Sequence, residues 1–325
     1  MSYPSFRFRR LRRTENLRRL VREHQLNVDD LILPIFVEEN ISEPVPIESM
    51  PGVMRYPESM LADVVRNAAA KGIRAVLLFG VSHCKDEVGS DTWSDDGLMV
   101  RMIRAAKAAA PQITVISDNC FCEYTSHGHC GVIEGDDVDN DKTLDNLCQQ
   151  ALAAARAGVD MLAPSGMMDG MIRAMRAALD FDGFTHLPIM SYSTKFASAF
   201  YGPFRDAVDS TFKGSRSAYQ MDPANGREAV AESMADQDEG ADILMVKPGI
   251  AYLDVISSIR QQCDRPLAVY QVSGEYAMIK AAAAAGVIDE KSIVLESMTA
   301  FRRAGADLVI TYYAEQLAEW IREGI

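Results

Sequence analysis

Short apolar runs, most of them rich in β-branched or aromatic residues, recur along the chain with room for a helix between successive pairs. There are eight: LILPIFV from 31, AVLLFGV from 75, ITVIS from 113, MLAPS from 161, LPIMSYS from 187, ILMVK from 243, LAVYQVS from 267 and LVITYYA from 308. Between them lie Ala-, Glu- and Arg-rich segments with apolar residues at helical spacing, such as 57–71, 96–110, 143–157, 168–180, 226–239 and 251–262. A run that is continuously apolar predicts a strand buried on both faces, and regular exchange with helices predicts a parallel sheet shielded by them.

A weak repeat sharpens this expectation. KGIRAVLL, AGVDMLAP, EGADILMV and AGADLVIT share one logic, in which a helix ends, Gly takes the left-handed position and a buried strand begins. Eight such strands predict an α/β fold of the closed (β/α)8 TIM barrel type. An open doubly wound sheet is the competing arrangement, but no G-x-G-x-x-G follows the first run. No linker or low-complexity block divides the chain, so residues 31–325 are expected to form one barrel behind an N-terminal arm, residues 1–30. Two irregular segments, 119–142 and 196–222, follow the third and fifth strands on the side where barrels build their active sites.

Composition narrows the class. The 325 residues are 48% hydrophobic, which excludes a disordered chain, and no uncharged apolar run reaches membrane-spanning length. The charged N-terminus is followed by no apolar signal segment, and cysteines are sparse, so a soluble cytoplasmic protein without membrane association is expected. Residues 1–22 hold eight arginines against one glutamate, while the rest of the chain carries a balance of −20. Such a body repels nucleic acid, and the arm reads as a docking element for an acidic surface, that of a sister subunit. A solvated tail and a nucleic-acid arm are the alternatives.

Candidate chemistry concentrates at strand ends. SDNCFCEYTSHGHCG, residues 117–131, places Asp118, Cys120, Cys122 and Cys130 just beyond the third strand. Isolated cysteines pack as small hydrophobes, but three on a polar Gly-containing loop suit a soft metal such as Zn²⁺. Three thiolates leave a fourth tetrahedral position open, as in catalytic sites, unless His127 or His129 closes it. Cys84, Cys148 and Cys263 read as packing residues. Lys195 lies just beyond the fifth strand and Lys247 ends the sixth, so neighbouring strands present two amines to one cavity. Burial and a second cation both favour the neutral amine, the form that condenses with a ketone to a Schiff base. Ser165, Gln271, Ser273 and Tyr312 are polar groups at further strand ends. Phe204, Arg205, Arg216 and Gln220 form an aromatic and cationic set suited to an anion.

From RRLRR and LILPIFVEE through MPGVMRYP, CFCEYTSHGHCGV, DNDKTL, MSYSTKFASAFYGPFR, MVKPG, YQVSGEYAMIKAAA and LESMTAFRRAGAD, the chain resembles the zinc-type 5-aminolevulinate dehydratases, or porphobilinogen synthases. The resemblance spans essentially the whole chain. It implies a (β/α)8 barrel whose arm embraces a neighbouring subunit in a homo-octamer, and condensation of two 5-aminolevulinate molecules to porphobilinogen for tetrapyrrole and haem synthesis. It further implies a Schiff base at Lys247 with the propionate-side substrate and one at Lys195 with the acetate-side substrate. Arg205, Arg216 and Gln220 would hold the acetate-side carboxylate, Ser273 and Tyr312 the propionate-side carboxylate, and Asp118 and Ser165 would face the amino groups. Cys120, Cys122 and Cys130 match zinc ligands, and Glu232 matches a position that supports an allosteric Mg²⁺. Two rivals remain at this stage: a class I aldolase, which needs no thiolate metal, and a nucleic-acid-binding protein with a structural zinc knuckle.

Overall fold

The computed structural model describes residues 5–135, 137–208 and 215–324. Residues 1–4 of the expected arm, and 136, 209–214 and 325 of the expected barrel, lie outside the described residues. Eight parallel strands follow the eight apolar runs: β1 (Leu31–Glu38), β2 (Ala75–Val81), β3 (Thr114–Asn119), β4 (Met161–Pro164), β5 (Met190–Lys195), β6 (Ile243–Lys247), β7 (Leu267–Tyr270) and β8 (Leu308–Ile310). Their order is β4-β3-β2-β1-β8-β7-β6-β5, and a parallel bridge between Leu162 and Ile189 joins the two ends into a ring. The barrel is therefore closed, which leaves no sheet edge with unpaired backbone groups.

Helices wrap the ring with their apolar stripes inward. The helix Leu61–Ala70 buries Leu61, Val65 and Ala68, and the helix Met171–Phe181 buries Met171, Ile172, Met175 and Leu179. These spacings are those of a single helical face. The helix Asn140–Ala157 starts at Asp139, whose carboxylate accepts from Lys142 N at 2.9 Å, and stops at Gly158. Gly72, Gly158, Gly240 and Gly305, one in each of the four repeat segments, all have positive φ, between +87° and +120°. The helices Leu98–Ala109, Gly226–Glu239, Leu253–Arg260, Ser273–Ala284, Glu290–Ala304 and Ala314–Arg322 belong to the same outer layer.

Inside the ring, Phe36 stacks on Phe79 with centroids 5.3 Å apart and on Tyr312 at 6.0 Å. Polar side chains gather at the carboxyl ends of the strands. Before β1, residues 5–30 form short helical turns, including the helix Glu15–Leu20, with Phe6, Phe8, Leu11 and Leu20 exposed.

Several boundaries differ from the sequence expectation. β3 runs on to Asn119, and Lys195 is the last residue of β5 rather than a residue beyond it. β7 stops at Tyr270, so Gln271 lies after it and Ser273 opens the next helix. Tyr312 likewise follows β8, which ends at Ile310. The segment 119–142 contains a small hairpin, Ile133–Glu134 with Asp137–Val138. Cys84 is exposed and is not a packing residue, whereas Cys263 is buried.

Gly158 isolates the cost of the turn, since φ is +91° and an added Cβ would meet nothing within 4 Å. Gly158→Ala is expected to lower stability by about 1–2 kcal/mol through backbone strain alone, read as a lower urea midpoint. An unchanged midpoint would show that the turn does not need the left-handed backbone.

Candidate active site

β5 and β6 set the centre of the site. Lys195 and Lys247 are direct register partners on the two strands, and both are buried, 5% and 6% exposed. They line one cavity of about 260 Å³ at the carboxyl end of the barrel. Ser165, Arg205, Arg216, Gln220 and Cys122 share its wall. With Phe204, eight of the residues singled out from the sequence, at or after the ends of four different strands, therefore meet in one space.

The Lys247 amine sits among four rings, with centroids at 4.3 Å (Tyr270), 5.1 Å (Tyr192), 5.3 Å (Phe204) and 5.5 Å (Tyr201). Burial in this box, and then the charge of Lys195, push its pKa down to about 7, against the opposing pull of Asp118. Lys195 donates from Nζ to the Ser165 carbonyl at 2.6 Å. Asp118, buried on β3, is pushed up to about 7 by its own burial and by Glu123, while both lysines and a Ser165 hydrogen bond act the other way. A carboxyl and an amine that each change protonation near neutrality are suited to moving protons.

The neighbouring backbone is tied down. The Lys247 carbonyl accepts from Phe196 N at 3.0 Å and from Tyr201 OH at 3.2 Å. Glu275, wholly buried, accepts from Val272 N at 2.8 Å, Gly249 N at 3.2 Å and Ile250 N, and so joins the turns after β6 and β7. Met221 donates to the Lys195 carbonyl at 3.1 Å and accepts from Ala197 N at 2.8 Å. That stitch delivers Arg216 and Gln220 to the cavity. Gln220 is buried, and its side-chain Nε2 has no hydrogen-bond partner among the described residues, which leaves a donor for an incoming anion.

Cys120, Cys122 and Cys130 are buried with their sulfurs within 4.8 Å of one another. Cys120 and Cys122 Sγ are 3.3 Å apart, and Cys122 donates to Glu123 at 3.1 Å. Hydrogen bonds from the other two thiols hold the Cys130 thiol well below its ordinary range. Three convergent soft donors, one already disposed to be a thiolate, fit a zinc-type ion with an open position. Neither His127 nor His129, the alternative fourth ligands, joins the cluster. His127 Nε2 lies 3.0 Å from the Glu87 carbonyl, and His129 Nδ1 lies 3.3 Å from Tyr219 OH.

Three expected residues lie elsewhere. Ser273 accepts from Phe204 N at 2.9 Å and donates to the Phe200 carbonyl at 3.3 Å, so it pins the 200–204 segment beside the cavity. Tyr312 is 3.1 Å from Tyr270 OH beneath the site. Glu232 lines a separate depression with Asp169, Glu228, Asp236 and Glu239, where burial and then the charges of Asp169, Glu228 and Glu239 raise its pKa. The carboxylates there do not converge as the cysteines do, an arrangement compatible with a Mg²⁺ that keeps most of its waters.

Comparisons with known proteins point one way. The family model described as "Delta-aminolevulinic acid dehydratase" matches residues 5–320. Among curated relatives bearing that name, the protein of Escherichia coli K12 is 56% identical over 96% of both chains. That of Halalkalibacterium halodurans is 50% identical over 98% of this chain and 97% of its own. The crystal structure of the Toxoplasma gondii enzyme, in complex with the reaction product porphobilinogen, superposes with a TM-score of 0.96. It is 46% identical and covers 99% of this chain and 93% of its own. A barrel with paired lysines at its mouth and this degree of likeness along its whole length belongs to the delta-aminolevulinic acid dehydratase family.

Proposed function

We propose that the chain is a lyase that condenses two molecules of 5-aminolevulinate to porphobilinogen and water, a step towards tetrapyrroles such as haem. The observation that carries this reading is the register pairing of Lys195 with Lys247 in a single buried cavity walled by Cys122. An amine with a pKa near 7 is about half neutral at pH 7, against roughly one in a few thousand for a free lysine. Lys247 can therefore attack the ketone of one substrate, and Lys195 that of the other, to give imines. Each imine draws electrons from the adjacent carbon, so a proton lost there yields an enamine that attacks its neighbour.

Asp118 and the Ser165 segment stand where they can take and return protons at the substrate amines. Arg205, Arg216 and Gln220 offer a cationic fork and a free amide donor to the acetate-side carboxylate. Ser273 and Tyr312 serve the propionate-side carboxylate, Ser273 by releasing its contacts with the 200–204 segment. Tyr192, Tyr201, Tyr270 and Phe204 exclude water from the reacting amine. Holding both substrates in one cavity removes a bimolecular entropy cost of roughly 7–11 kcal/mol at best.

Cys120, Cys122 and Cys130 would hold Zn²⁺, which when bound supplies a Lewis acid for a carbonyl oxygen on that wall. Glu232 would support an allosteric Mg²⁺. The six cysteines are unpaired thiols, in keeping with a reducing cytoplasm, and no helix among the described residues is long and apolar enough to cross a membrane. We assign residues 1–30 to an arm that docks on a neighbouring copy in a homo-octamer and 31–325 to the catalytic barrel. The exposed Phe6, Phe8, Leu11 and Leu20 beside the arginines give that arm an apolar and a cationic face.

Incubation with 5-aminolevulinate should yield porphobilinogen, lost in Lys247→Ala and in Lys195→Ala and depressed by exhaustive chelation until Zn²⁺ is returned. Full turnover after chelation would favour an aldolase-like site, and turnover in Lys195→Ala would remove the second imine. Deleting residues 1–22 should give smaller assemblies by light scattering; an unaltered mass would refute the arm.

A further inference from the structure

β5 contains an irregularity that decides which way Lys195 points. Ser191 pairs with Leu244, but Lys195 pairs with Lys247, so β5 spends four steps where β6 spends three. One extra residue is therefore present in β5, and side-chain contacts locate it. Ser191 faces outward to Asp236, and Tyr192 faces inward beneath both amines, its centroid 5.7 Å from Lys195 Nζ and 5.1 Å from Lys247 Nζ. Ser193 and Thr194 then both face outward, each reaching Ser233 on the helix Gly226–Glu239, at 3.1 Å and 2.9 Å. In a regular strand successive side chains alternate, so Thr194 would face inward and Lys195 would point at the helix layer. The bulge restores Lys195 to the interior.

Hydroxyl groups saturate this bulge. Met245, which lacks a register partner on β5, sends its N–H to Ser193 Oγ at 3.4 Å. Thr194 Oγ1 donates to the Ala229 carbonyl at 3.1 Å. Ser193, Thr194 and Ser233 are each no more than 1% exposed, so water cannot substitute for any of them. Lys247 does not depend on the same device, because β6 keeps unbroken pairing with β7 through Leu244–Leu267, Met245–Ala268 and Val246–Val269.

We propose that Thr194 and Ser233 are positioning residues that hold the β5 bulge and thereby aim Lys195, but not Lys247, into the cavity. This rests on the proposed two-imine chemistry. In regular register the Lys195 amine would leave the site, and only the second imine would be lost. A bulge of this kind re-aims a side chain at the cost of one ladder position.

The test is borohydride reduction of the full chain in the presence of 5-aminolevulinate, with peptide mass mapping of both lysines, alongside porphobilinogen assays. Thr194→Val, which keeps the shape and removes the hydroxyl, should lower the Lys195 adduct and kcat by about 100-fold, the scale of an ångström misplacement. The Lys247 adduct should persist, and Thr194→Ser should restore both readouts. Ser233→Ala removes the partner on the helix side and carries the same expectation should the first variant not fold. Equal loss of both adducts, or wild-type labelling of Lys195 in both Thr194→Val and Ser233→Ala, would overturn the proposal. Absence of both adducts in the unsubstituted chain would instead remove the imine chemistry on which it rests.

Discussion

Two lysine amines buried side by side in one chamber, that of Lys247 boxed by aromatic rings, are the constraint around which this molecule is organised. Holding Lys247 near 7 disfavours its protonated form by roughly 5 kcal/mol relative to a free lysine. Desolvation is the largest contribution, and the Lys195 charge adds to it. The surrounding rings attract a cation, each by roughly 0.5–2 kcal/mol, and so oppose the shift. Burial wins because the same rings keep water out. The outcome is a nucleophile that needs no separate base to be neutral at physiological pH.

Such an arrangement is costly to hold, and the surrounding structure is built to hold it. Closure of the barrel fixes β5 against β6 and leaves no edge along which the pair can slip. Glu275 clamps the turns after β6 and β7, and Met221 stitches the anion-binding segment to the Lys195 carbonyl. Each of these contacts reaches backbone, so side chains facing the cavity remain available for substrate. The cysteine cluster enters the same cavity through Cys122, which places a metal site against the amines.

Much of this was legible in the sequence. Continuous apolar runs with glycine at the preceding helix end reported the barrel, because burial on both faces erases alternation. Lys195 and Lys247 stood out as charges at the ends of such runs, and three cysteines on one polar loop stood out by clustering. The limits were physical as well. LAVYQVS remains apolar or aromatic past Tyr270, so the pattern hid the passage from strand to helix at Ser273. The Ala-rich segment after it has too little contrast between faces to mark a helix. Glu275 offered one faint signal, an acid in the first turn of a helix, but its second task after β6 is a tertiary contact. MSYSTK reads as an ordinary strand end. Its bulge is set by Ser193 and Thr194 meeting a serine some forty residues away, which no local pattern encodes.

The most direct test of the central claim is the pH dependence of borohydride trapping at Lys247, measured in the unsubstituted chain and in Lys195→Met. The account predicts trapping that rises through about pH 7 as the amine loses its proton, and a displacement of that rise to higher pH when the neighbouring cation is removed. A rise near the ordinary lysine value of about 10.4 in the unsubstituted chain, or one that Lys195→Met leaves in place, would contradict it.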